Sequence, residues 1–176
     1  FLWFFPLNNP FLMLIGILGF AGFLYYAFSP KINYWNKLIG TSLISVLSVN
    51  VLMSAHFYPE VLEYQSGGKI GEYVIEQGLD KERLYNLNVG SRSLDVYAQT
   101  VSDDILLEQV DSLIQDGKPM YVFTDQDGKT SLEMKGYTVT VLQKRDDFSV
   151  TLLQMNFGNP QKRPETLRPR YLLEVK

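Results

Sequence analysis

Two stretches near the start of the chain are apolar without a break in polarity strong enough to interrupt them. They are Phe11 to Phe28 (FLMLIGILGFAGFLYYAF) and Leu38 to Phe57 (LIGTSLISVLSVNVLMSAHF), and neither contains an acid or a strong base. At the helical rise each is long enough to cross a hydrocarbon layer of about 30 Å, so the pattern predicts two membrane-spanning helices. Gly16, Gly19 and Gly22 recur at a three-residue step in the first, and Ser42, Ser45, Ser48 and Asn50 line the second. Small and hydroxyl side chains at this spacing mark packing between helices. Asn50, the strongly polar side chain at depth, is expected to bond a neighbouring helix.

After Pro59 the period changes and apolar runs shorten. Tyr64 to Gln77 brings Ile70, Tyr73 and Val74 onto one helical face and meets a glycine stop at Gly78. Arg83 to Asn88 alternates as a strand does, and Ser91 caps a helix running to Thr100 with Leu94, Val96 and Tyr97 as its apolar positions. Asp103 to Gln115 reads as a helix that opens on paired acids and closes at Gly117. Pro119 to Thr124 (PMYVFT) is a short continuous apolar run, the pattern of a strand buried on both faces in mid-sheet. Ser131 to Met134 suggests a helical turn, Tyr137 to Gln143 a strand ended by a KRDD turn, and Phe148 to Phe157 and Tyr171 to Val175 two further strands. The predicted architecture is an α/β domain over 59–176, a mixed sheet with flanking helices. Its early strands are parallel and its late ones antiparallel, and two transmembrane helices (about 11–28 and 38–57) precede it within 1–58.

Charge sharpens this division. Lys31 and Lys37 are the only charged residues before Glu60, so 14 of the 16 Lys and Arg face all 19 Asp and Glu in the remainder. The 46% hydrophobic content and net charge of −3 are averages over two unlike halves. An acidic soluble half excludes a nucleic-acid surface, which needs clustered basic residues. The two lysines lie in the short link SPKINYWNK, and lysine-bearing short loops stay in the cytoplasm, which places the 59–176 domain outside, in the periplasm or its equivalent, with the chain in the inner membrane. Trp35, His56 and Tyr58 fall where amphipathic rings anchor at a membrane interface. The aromatics of FLWFFPLNNP suit the same zone. With no basic start and no cleavage site, this opening does not read as a signal peptide, and further upstream spans are expected.

Candidate chemistry is sparse. With one histidine, His56, and no cysteine, metal clusters and Cys-His or Ser-His-Asp arrangements are out of reach, so neither a catalytic residue nor a metal ligand nor a cofactor is assigned to this segment. Asp103 and Asp104 suit a helix start, Asp146 and Asp147 a hairpin turn, and Asp125 to Gly128 (DQDG) a turn lacking the later ligands of a calcium loop. GSRS after the strand RLYNLN has strand-loop-helix context. Arg92 there could contact an anion or substrate, although one glycine is too few for a dinucleotide fingerprint.

The strings HFYPEVLEYQSGGKIGEYV, YNLNVGSRSLDVY, KPMYVFTD and FSVTLLQMNFGNPQKRPETLRPRYLLEV together resemble the C-terminal end of bacterial GT-C glycosyltransferases of the aminoarabinose transferase and protein mannosyltransferase kind, especially Bacteroidetes versions. The likeness spans most of Leu38 to Lys176, and no single string in it is diagnostic. It implies a polytopic enzyme that takes a sugar from a polyprenyl-phosphate carrier and passes it to a lipid, glycan or protein acceptor. Its catalytic acid would lie in an earlier extracytoplasmic loop, so no catalytic residue carries over, and whether the full enzyme uses a divalent metal stays open. The present segment would be the accessory outer part that shapes acceptor access, with Tyr64 and Arg92 as substrate-contact candidates. The competing expectation is a membrane-tethered binding or sensor module without catalysis.

Overall fold

The computed structural model describes residues 5–114, 118–149 and 154–176. The chain divides into two compact units, Phe1–Leu62 with Gly158–Pro160, and Glu63–Phe157 with Gln161–Lys176.

The first unit is built from two long helices. Helix α1 (Pro10–Phe28) starts where Asn9 accepts from the amides of Phe11 and Leu12 and proline occupies a first-turn position that needs no donor. Helix α2 (Tyr34–Leu52) continues through a π-helical turn (Met53–Phe57) into α3 (Tyr58–Leu62), a run of 29 residues. It begins earlier than the apolar run because the Asn33 side chain caps the Asn36 amide at 2.8 Å. Both helices are long and apolar enough to cross a membrane. Leu12 is the buried side chain of α1, and α2 buries none.

The small residues divide by role. A Cβ on Gly19 would lie 2.7 Å from Ser48 Oγ, and one on Gly40 would lie 2.3 Å from the Tyr26 ring, so these two positions set the closest approach of α1 and α2. Gly22 faces Ile44, but Gly16 faces open space and takes no part in the contact. Among the described residues, Asn50 does not reach across to another helix. Its amide donates to the Val46 carbonyl one turn back, which satisfies the polar group within its own helix.

The second unit is a three-layer α/β sandwich. Five strands, β1 (Leu84–Leu87), β2 (Asp103–Ile105), β3 (Met120–Thr124), β4 (Val139–Asp147) and β5 (Arg168–Val175), form one sheet in the order β2-β1-β3-β5-β4. The β1 pairings with β2 and β3 are parallel, and those of β5 with β3 and β4 are antiparallel, the predicted switch from early parallel to late antiparallel. Strand alternation distributes the core to both faces. Leu84, Phe123 and Leu172 pack with Ile70 and Val74 of α4 (Ser66–Glu76) and with Leu94 and Ala98 of α5 (Arg92–Ala98). Leu87, Met120, Val122 and Leu173 pack on the other face with Val110 of α6 (Val110–Ile114) and Leu132 of α7 (Gln126–Met134). Each fully buried Leu, Ile, Val or Phe contributes about 1.5–3 kcal/mol of burial.

Helix α4 ends at Gly78, whose φ of 61° is the left-handed conformation that glycine adopts without strain. The close approach of α4 and α5 depends on Gly67 and Gly71. A Cβ on Gly71 would sit 2.8 Å from the Ala98 nitrogen and 2.9 Å from the Leu94 carbonyl oxygen, both backbone atoms.

Several predicted elements are corrected. Asp103 and Asp104 do not start a helix; they lie in β2 at the sheet edge, and helix α6 starts only at Val110 after a 3₁₀ turn (Leu107–Gln109). Parallel pairing with β1 outweighs the local helix signal there. Gln115 and the predicted stop at Gly117 lie outside the described residues. The DQDG string starts α7 because Asp125 caps the Gly128 amide at 2.9 Å, so the helix begins five residues before the predicted turn at Ser131. KRDD is no turn either: β4 runs through Asp147, held by pairing with β5. Of the predicted strand Phe148 to Phe157, residues 150–153 lie outside the described residues, Phe148 and Ser149 belong to no strand, and Met155–Gly158 forms a short helix, α8. The remaining short helix, α9, is Arg163–Thr166.

Candidate functional site: an arginine-lined groove

The second unit carries a groove of about 790 Å³ whose lining includes Arg92, Arg168 and Arg170. Topology explains its position. β2 lies on one side of β1 and β3 on the other, so the chain reverses its winding direction between β1 and β3. In open α/β sheets, ligand crevices form outside the carboxyl ends of strands at such a point. The groove lies at that end of the sheet, toward β4 and β5, with no residue of β3 in its lining. Ser91, Arg92 and Ser93 follow the loop after β1, Asp147 closes β4, and Arg168 and Arg170 open β5 beyond its pairing with the end of β3.

The three arginines differ in their surroundings. Arg170 is held between two carboxylates, with Nη1 3.5 Å from Asp125 Oδ2 and Nε 3.8 Å from Asp147 Oδ2. Asp147 is further occupied through Oδ1, which accepts from the Ser66 amide at 3.1 Å and the Ser66 hydroxyl at 2.6 Å. It thereby serves as a cap for α4, whose own preceding residue Gln65 makes no side-chain cap. Arg92 and Arg168 are exposed, and neither guanidinium makes an ion pair or side-chain hydrogen bond among the described residues. The loop serines are engaged locally: Ser91 Oγ accepts from the Leu94 amide and lies 2.8 Å from Ser93 Oγ.

Of the two substrate-contact candidates, one lines the groove and the other does not. Arg92 lines the groove. The Tyr64 side chain instead packs edge-on against Phe157, at 5.2 Å between ring centroids. Phe157 stacks on Phe148, and Arg163 lies over the Tyr64 ring while donating to its hydroxyl at 3.1 Å. The Tyr64 carbonyl also accepts from the Phe148 amide at 2.9 Å. In the first unit, Trp35 and Tyr58 are exposed, whereas His56 is 7% exposed and donates from Nε2 to the Phe5 carbonyl at 3.0 Å. Two of the three predicted interface rings are thus free to face a surrounding medium, and His56 is turned inward.

The two groove arginines on β5 were missed, although Arg168-Pro169-Arg170 has the two-residue spacing that puts both side chains on one face of a strand. Asp147 was missed because a KRDD turn left it no helix to cap. No group of three or more His, Asp or Glu gathers into a metal-holding cluster among the described residues. Two groups outside the groove are shifted. Hydrogen bonding to Glu63 raises Lys69, against the opposing effect of burial, with Glu72 adding to the rise. Burial, aided by the hydrogen bond to Asp111, pushes Tyr137 up to about 12.

No protein-family model matches this chain, and no curated protein or solved structure matches it.

Proposed function

We propose that this chain is the terminal segment of a polytopic membrane glycosyltransferase of GT-C type, with the two long helices as its last spans and the α/β unit as its extracytoplasmic accessory part. The observation that carries the membrane half is the exposure of the helices. Phe11, Ile17, Leu18, Phe20 and Phe28 of α1 and Trp35, Ile39, Leu43 and Val46 of α2 all stand outside any core. Exposed apolar area on that scale is stable in lipid and costly in water. The resemblance of the Leu38 to Lys176 strings to GT-C C-terminal regions supports the transferase half.

The orientation follows from Lys31 and Lys37 in the link. The donor would be a polyprenyl-phosphate sugar, and the acceptor a lipid, glycan or protein. A direct test is transfer of labelled sugar from polyprenyl-phosphate donors by membranes holding the complete gene product. The proposal expects turnover that is lost when the α/β unit is deleted. Absence of turnover across a panel of such donors, with the protein folded and membrane-inserted, contradicts it. A second reading, a membrane-anchored binding module without catalysis, draws on the arginine-lined groove; it expects saturable ligand binding and no transfer.

A further inference from the structure

We infer that the groove of the α/β unit binds a small saccharide carrying a phosphate or carboxylate, gripped by Arg92 and Arg168. The inference goes beyond the transferase reading and does not depend on it, because it needs only the α/β unit.

Four observations converge. The groove, at about 790 Å³, is in the size range of small-molecule sites. It lies at the end of the sheet where the parallel strands have their carboxyl ends, the end at which α/β sheets hold ligands, on the side of β4 and β5. Its charge runs against that of its surroundings: after Pro59 acids outnumber bases, yet the lining holds three arginines against Asp147 and Glu165. Those two acids do not neutralise all three. Asp147 is committed to Ser66 and Arg170, so its charge is already shared.

Arg92 and Arg168 therefore remain as forked donors without a carboxylate partner among the described residues. A guanidinium presents paired N–H donors that match the oxygens of phosphate or carboxylate. The anchoring of Arg170 by Asp125 and Asp147 fixes the strand end from which Arg168 projects. Gln65 and Gln154 add neutral donors and acceptors suited to sugar hydroxyls, and the Thr166 hydroxyl, which donates to the Arg163 carbonyl, adds an acceptor.

The experiment is equilibrium binding to the full chain in detergent micelles, using glucose 1-phosphate, glucuronate and glucose as probes. Saturable binding of glucose 1-phosphate or glucuronate is expected at least tenfold tighter than that of glucose, weakening as salt rises. The Arg92→Ala/Arg168→Ala double variant is expected to lose at least tenfold in affinity for the charged probe. The Arg92→Lys/Arg168→Lys variant, which keeps charge without the fork, falls between. Both side chains are exposed, so the fold should survive, and an unchanged far-UV circular dichroism spectrum checks that it does. The inference is overturned if neither charged probe binds, if glucose binds equally well, or if the folded double-alanine variant binds as the parent does. None of these outcomes bears on sugar transfer by the complete gene product, so the two proposals fail separately.

Discussion

Asp147 illustrates how one side chain can be misplaced by local reasoning and still be informative. As part of KRDD it looked like a turn residue. In the structure β4 extends through it, and its carboxylate reaches 81 positions back in sequence to cap Ser66 and also meets Arg170. Removing it leaves the Ser66 amide and hydroxyl without that acceptor and Arg170 with one carboxylate fewer. Asp147→Ala is expected to lower unfolding free energy by about 1–3 kcal/mol, measured by denaturant titration, since unpaired polar groups at a helix start carry that cost. Asp147→Asn, which keeps one acceptor oxygen, should lose less.

Tyr137 offers a test by pH. Its folded pKa, about 12, lies above the ordinary tyrosine value near 10, so the folded state holds the proton more tightly. That contribution is fully present below about 10 and fades as pH rises through about 12. Lys69 is also raised and loses its contribution in the alkaline direction, but it is untouched by a change at Tyr137. The stability difference between the parent and Tyr137→Phe should therefore be larger at pH 9 than at pH 11. A difference constant across that interval contradicts the assignment.

Among elements, the helices and strands with strong periodicity were legible, and those decided by partners were not. α4, β1, α5, β3 and β5 all emerge from apolar spacing, capping serine or glycine stop, because their local signals and tertiary roles agree. β2 was hidden because two aspartates in sequence favour a helix start, and only the neighbouring strand turns them into an edge. The glycines of SGGKIG carried a signal that went unread: Gly67 and Gly71, four apart, share a helical face, and that face meets α5. Gly71→Ala is expected to destabilise the α/β unit by about 1–3 kcal/mol, because the new methyl meets backbone that has no rotamer with which to yield. Gly16→Ala, facing open space on α1, should be neutral or slightly stabilising by thermal melting in the same detergent. The groove itself was half legible, since Arg92 stood out beside its capping serine. Arg168 and Arg170 join it only through the register of β5 on β4 and β3.

For the whole molecule, the segregation of charge carries the account. Two long apolar helices precede a unit that contains every acid except Glu60, and along those helices most of the large apolar side chains are exposed. The claim that these helices cross a membrane, with the α/β unit outside and the lysine link within, is open to direct measurement because the chain has no cysteine of its own. Single-cysteine variants Pro30→Cys, in the link, and Met134→Cys, at an exposed position of α7, can be treated with a membrane-impermeant maleimide on intact cells whose outer barrier is opened. The account predicts labelling of the Met134→Cys protein before lysis and of the Pro30→Cys protein only after it. Equal labelling of both before lysis, or the reverse order, contradicts it.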